Sequence, residues 1–160
     1  LIQRLWNDLY KGGLPGGKGD MKDPKRVGHV YYNLGVVAGI IHVEAMRAAL
    51  AKFGPDMPLD GKHKRWGLEN LNLDDAKLSE YGVLGMMQNV YTSCKDHTGG
   101  HRGKMAAWNG ESFDLVSKDW ILSDLDVIWP LVYERSEKYA KENNIKIRDC
   151  DDPDDNAYMY

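Results

Sequence analysis

Hydrophobic residues recur at helical spacing from Leu1 to about Tyr81, at strand spacing from Met86 to Ser117, and at helical spacing again beyond Asp124. Leu1, Leu5 and Leu9, with Ile2 and Trp6 beside them, make one face of a helix over Leu1–Tyr10. Lys11–Asp20 (KGGLPGGKGD) interrupts it with glycines and a proline and reads as a surface loop. Val30–Phe53 is the strongest helix. Leu34, Val37, Ile41, Ala45 and Ala48 share a face, and His42, Glu44, Arg47 and Lys52 fall toward its later end. Its first half is apolar on nearly every side, which predicts deep burial for that half. Gly54-Pro55 stops it.

Asp60–Leu71 reads as a short helix capped by the Asp60 carboxylate, and Leu73–Tyr81 as another that ends at Gly82. Met86–Thr92 is a candidate strand. Lys104–Trp108 and Ser112–Ser117 flank Asn109-Gly110, a dipeptide suited to a type I′ hairpin turn because both positions tolerate positive φ. Asp124–Glu142 is a helix with Leu125, Ile128, Leu131, Val132, Tyr139 and Ala140 inward, which Pro130 either starts or kinks. The tail DDPDDNAYMY is acidic and turn-rich, and frayed ends are expected there.

Composition changes this picture little. A chain of 160 residues holds one core. A net charge of −3, with Lys and Arg on no single stripe, gives no reason to expect nucleic acid. The chain begins at Leu1, already inside an amphipathic pattern. That start predicts a piece of a longer protein, and 151–160 reads as an acidic tail.

Candidate chemistry is sparse. Gly12, Gly17 and Lys18 match G-x-x-x-x-G-K by spacing, but Gly19 replaces the required hydroxyl and the loop follows a helix, so a surface loop is preferred. Cys94 and Cys150 are either two inert thiols or a disulfide, and the disulfide is preferred. It would imply an oxidising compartment. Cys94, Asp96, His97 and His101 are the densest group of possible metal ligands. No second ligand pair accompanies them, so a polar turn is preferred to zinc. Glu44 and Glu69 read as isolated helix carboxylates and His29, His42 and His63 as scattered, so nothing assembles a nucleophile, a base and an orienting group. No catalytic residue, metal or cofactor is assigned. Tyr31, Tyr32 and Asn33, at the start of the apolar helix, could give an aromatic wall and a carboxamide to a small ligand, with core packing the competing reading.

Three segments in order extend the reading: VYYNLGVVAGIIHVEAMR (30–47), RWGLENL (65–71) and SCKDHTG (93–99), followed by the hairpin AAWNGESFDLVS. Together, from Val27 to Cys150, they resemble the C-terminal portion of type I periplasmic substrate-binding proteins of ABC importers, the leucine/isoleucine/valine-binding family. That resemblance implies an α/β fold, the C-terminal part of a two-lobed shell that closes over its ligand, with 1–150 the C-terminal segment of that ligand-binding domain. It implies a periplasmic solute-binding component, not an enzyme, that captures an amino-acid-like or aromatic metabolite and delivers it to an ABC permease. It places Tyr32, with Tyr31 and Asn33 adjacent, at the ligand, and the rest of the cleft in a missing N-terminal half. The alternatives are a metal-stabilised module around Cys94, His97 and His101, or the ligand-sensing domain of a receptor.

Overall fold

The structure is a computed structural model that describes residues 1–11, 27–56, 58 and 60–152. The loop at Gly12–Asp20, with its phosphate-loop spacing, and the tail from Pro153 lie outside the described residues. The N-terminal helix is short: α1 (Ile2–Leu5) runs into one π-helical turn, Trp6–Lys11. Then come α2 (Val30–Phe53), α3 (Gly61–Leu68), β1 (Asn72–Leu73) and α4 (Asp75–Glu80). The second half holds β2 (Val90–Tyr91), β3 (Arg102–Gly103), β4 (Ala106–Trp108), β5 (Phe113–Leu115), β6 (Ile121–Leu122) and α5 (Leu125–Glu142).

These strands make three two-stranded antiparallel ribbons, β1–β2, β3–β6 and β4–β5. Among the described residues no strand exceeds three residues. The chain is therefore helix-rich with little sheet, and the expected two-lobed α/β layering is corrected. The candidate strand Met86–Thr92 keeps only Val90 and Tyr91 in a ladder, because Val83–Met87 is held in turns by Met86 N–H and Met87 N–H donating to the Val83 carbonyl.

The ends of α2 follow local chemistry. Gly54 stands at φ 94°, where a side chain would be strained, and Pro55 cannot continue the helix. Burial along α2 departs from the pattern's prediction. Its buried residues run from Ile40 through Glu44 and Ala45 to Ala49, from mid-helix onward, whereas Val30, Tyr31 and Leu34 at its start are 65%, 77% and 62% exposed. The second half is covered by α3, whose Gly67 lies so close that an added Cβ would stand 2.0 Å from the Ala45 carbonyl oxygen. Phe53 meets His63 and Trp66 edge-on at 4.9 and 5.1 Å, closing the far end of the same contact.

Asp60 caps α3: its Oδ1 accepts the His63 backbone N–H at 3.0 Å and lies 2.7 Å from the His63 ring. Those bonds hold the Asp60 carboxyl below its usual range. Asp74 and Asp124 cap α4 and α5 in the same way. The core proper is Ile40, Leu73, Leu78, Val83 and Met87, with Val36, Val37, Ile41 and Val90 packed against it. Burying a Leu side chain there contributes roughly 1.5–3 kcal/mol.

The hairpin forms where the pattern places it, with a different turn. Gly110 has φ 106°, but Asn109 is not left-handed. Its Oδ1 accepts the Glu111 and Ser112 N–H groups, both at 2.8 Å, so an Asx-type loop replaces type I′. α5 runs through Pro130. Of the residues expected inward, only Ala140 is buried; Ile128, Leu131, Val132 and Tyr139 remain 39–61% exposed.

Candidate functional site: a cleft beside the apolar helix

One side of α2 forms the floor of a cleft of about 1060 Å³. Val30, Leu34, Val37 and Ile41 recur every three or four residues and so line it in a row. Met86 and Met87 from the loop before β2, and Val90 of β2 itself, face them, and Trp120 closes one edge. The polar rim comes from elsewhere in the chain: Arg65 and Glu69 from α3 and its C-cap, Gln88 and Thr92 around β2, and His97, Thr98 and Arg102 beyond it.

Hydrogen bonds hold these rim elements together. Thr92 Oγ1 donates to the Leu68 carbonyl at 2.6 Å and accepts the Leu71 N–H at 2.9 Å, pinning β2 to the end of α3. Gln88 Oε1 accepts the Arg102 N–H at 3.1 Å. Gly99, at φ 73°, approaches Val90 so closely that an added Cβ would stand 2.7 Å from its Cγ1.

Glu69, 5% exposed, is the acidic point of the wall. Its Oε1 accepts Arg148 Nη2 at 2.7 Å and lies 3.2 Å from His97 Nε2. The same Arg148 nitrogen is 2.8 Å from Cys94 Sγ. Cys94 and Cys150 are joined as a disulfide with Cα atoms 5.7 Å apart, and Lys95 pairs with Asp151 at 2.7 Å beside it. That pairing raises the Lys95 pKa above its ordinary value.

The neighbouring turn is self-contained. Asp96 accepts from the Thr98 N–H and hydroxyl at 2.9 and 2.7 Å and sits 2.5 Å from His101 Nε2. Burial opposes ionisation of Asp96, but the hydrogen bonds from Thr98 and His101 outweigh it and keep its carboxyl below the usual range. His101 meets Trp129 of α5 edge-on at 5.6 Å. Among the described residues no three His, Cys, Asp or Glu side chains are placed to hold a metal ion. With both cysteines in the disulfide, the zinc module around Cys94, His97 and His101 is corrected to a hydrogen-bonded turn.

The three proposed ligand residues are divided between two hollows. Tyr31 and Asn33 line the cleft, and Tyr31 also borders the second groove; Asn33 is half-buried and its Nδ2 donates to the Gly28 carbonyl at 2.9 Å. Tyr32 turns to the opposite side of α2, into a second groove of about 570 Å³ with Leu1, Leu5, Gly35, Gly39 and Tyr81. Neither Glu44 nor Glu69 is isolated. Glu44 is buried and pairs with Arg47 at 2.8 Å and with the Tyr81 hydroxyl. Burial, and then that bond to Glu44, push the Tyr81 phenol up to about 12. The pairing of the rim residue Glu69 with Arg148 behind it is what sequence reasoning missed. The two stand 79 positions apart, and the cysteine pair, two residues from Arg148, was the available signal.

No family model and no curated protein matches the chain. A solved structure does: a crystal structure titled as an ABC transporter permease from the Pseudomonas fluorescens group. It is 45% identical, with a TM-score of 0.76 over 89% of this chain. The chain spans 34% of that protein's length.

The likeness supports transport and an ABC transporter context. It overturns four expectations. The neighbour is titled a permease, so the substrate-binding-protein resemblance falls, and with it the two-lobed fold and the function of solute capture and delivery to a permease. The metal-module and receptor alternatives do not fit it either. The periplasmic expectation falls with them: besides the permease title, α2 is by length and composition apolar enough to cross a membrane, and 11% of its most apolar window is buried.

Proposed function

We propose that the chain is a segment of the permease component of an ABC transporter and that the cleft beside α2 lies on the solute's path. The observation that supports this most is the 45% identity over 89% of the chain to the permease-titled structure. The form of the cleft supports it too: an apolar floor with a few polar groups at the rim suits a small molecule with an apolar body. The exposed, apolar first half of α2 supports a membrane-embedded placement, since a helix of 24 residues is about 36 Å long and the hydrocarbon core about 30 Å thick. Tyr31 and Asn33 would then touch solute in the cleft, and Tyr32 would face the groove behind it.

The test is fractionation of cells that express the full-length parent. Alkaline carbonate should leave it in the membrane pellet, together with an ATP-hydrolysing subunit in detergent pull-downs. Quantitative release into the soluble fraction would overturn the permease reading. Solute uptake by cells carrying Asn33→Ala should fall several-fold, and unchanged uptake would remove Asn33 from the path.

A further inference from the structure

The acidic point of the cleft wall is assembled from two distant parts of the chain. Glu69 follows α3, and Arg148 lies on the segment after α5. A carboxylate that is 5% exposed needs a close cation to remain charged. Arg148 meets that need at 2.7 Å, from a segment with no strand or helix of its own. Two links fix that segment against the wall. The Cys94–Cys150 bond anchors it two residues from Arg148, and the Arg148 guanidinium rests 2.8 Å from Cys94 Sγ. Lys95–Asp151 is mostly exposed and adds little.

We propose that Arg148 is a positioning residue that holds Glu69 in the cleft wall, and that the Cys94–Cys150 bond keeps it there, so the wall is complete only in the oxidised chain. A dithiol would open the device. Two electrons and two protons pass to the cystine sulfurs, giving two thiols, while the dithiol closes to its own disulfide. The segment around Arg148 then loses its covalent anchor, and Glu69 keeps the exposed His97 ring beside it. His97 is 62% exposed and replaces a fixed guanidinium poorly. The inference concerns the wall itself and holds whether or not the cleft serves a permease.

Amide hydrogen exchange of the chain tests it, read at Leu71 and Thr92, whose N–H groups bond across the wall. Arg148→Met, with the disulfide intact, should speed exchange there about 10- to 100-fold, less than the full cost of breaking a buried ion pair because His97 stays beside Glu69. Glu69→Gln added to Arg148→Met should restore it to within about 3-fold of the wild type, because a neutral amide no longer needs the cation. Dithiothreitol should speed the wild-type amides to a similar extent and add little in the Arg148→Met chain. The idea is overturned if Arg148→Met leaves Leu71 and Thr92 at wild-type rates. It is equally overturned if Glu69→Gln fails to rescue, since the effect is then packing and not charge. Full additivity of reduction and Arg148→Met would also overturn it, because the disulfide would then act without the arginine.

Discussion

α2 and α5 are the two long helices among the described residues, and they differ in what touches them. α2 buries Ile40, Glu44, Ala45 and Ala49, from its middle onward, whereas α5 buries Ala140. The difference lies in the partner, not in the pattern. α3 offers a glycine where α2 offers alanines, so the two backbones can approach and exclude water. α5 is tied to the rest through His101 against Trp129 and through the disulfide that follows it, which are point contacts rather than a packed face. An apolar stripe states which side of a helix can be buried. Burial itself needs a surface of matching shape.

The comparison predicts a steep gradient of mutational effects, to be read by urea titration of the chain. Leu78 is fully buried, so Leu78→Ala should cost about 3–4 kcal/mol. A cost under about 1 kcal/mol would mean that the α2 side is no better packed than α5. Gly67→Ala should cost about 2–3 kcal/mol, since the new methyl meets the Ala45 backbone rather than a movable side chain. A neutral result would show that α2 and α3 can slide apart freely.

Two pH responses sharpen the contrast further. Tyr81 holds its proton more tightly when folded, with a pKa near 12 against about 10 in a free chain. The folded state therefore binds more protons in that interval, and stability should decline as pH rises through it. Tyr81→Phe should flatten the decline, and an unchanged alkaline profile would remove Tyr81 as its cause. Asp96 behaves oppositely. Its folded pKa is depressed, so its contribution is present above the usual carboxylate range and is lost as pH falls below about 4. Asp96→Asn should weaken the acid dependence of the His101–Trp129 contact, followed by tryptophan fluorescence. Smallest of all, Phe113→Ser on the exposed hairpin should change stability by no more than about 0.5 kcal/mol. A larger loss would show that the β4–β5 ribbon packs on something the titration can sense.

Local chemistry was the part of this molecule most legible in the sequence. Val30–Phe53 showed its stop in Gly54-Pro55, Asp60 its cap, and Asn109-Gly110 the place of the hairpin's turn though not its type, because each depends on neighbours within a few residues. The half of α2 that would be buried was not legible, since all-round apolarity cannot say where α3 will lie. The Glu69–Arg148 pair was hidden for the same reason: neither residue belongs to a pattern, and only the folded path brings them together. The order of the YYN, RWGLENL and CKDHTG segments suggested a binding-protein shell, and the permease-titled neighbour, which matches most of the same stretch, removed that inference.

The disulfide makes the last third of the chain a covalent ring. Cys94 and Cys150 are 56 positions apart, and the exposed Asn109–Ser112 loop lies between them. A protease that cuts once in that loop opens the ring without releasing anything: the nicked molecule keeps its mass on a non-reducing gel. Two pieces appear only when a thiol is added. Limited digestion followed by paired gels would thus reveal the ring, and would measure how much of the structure survives a break in its most exposed hairpin.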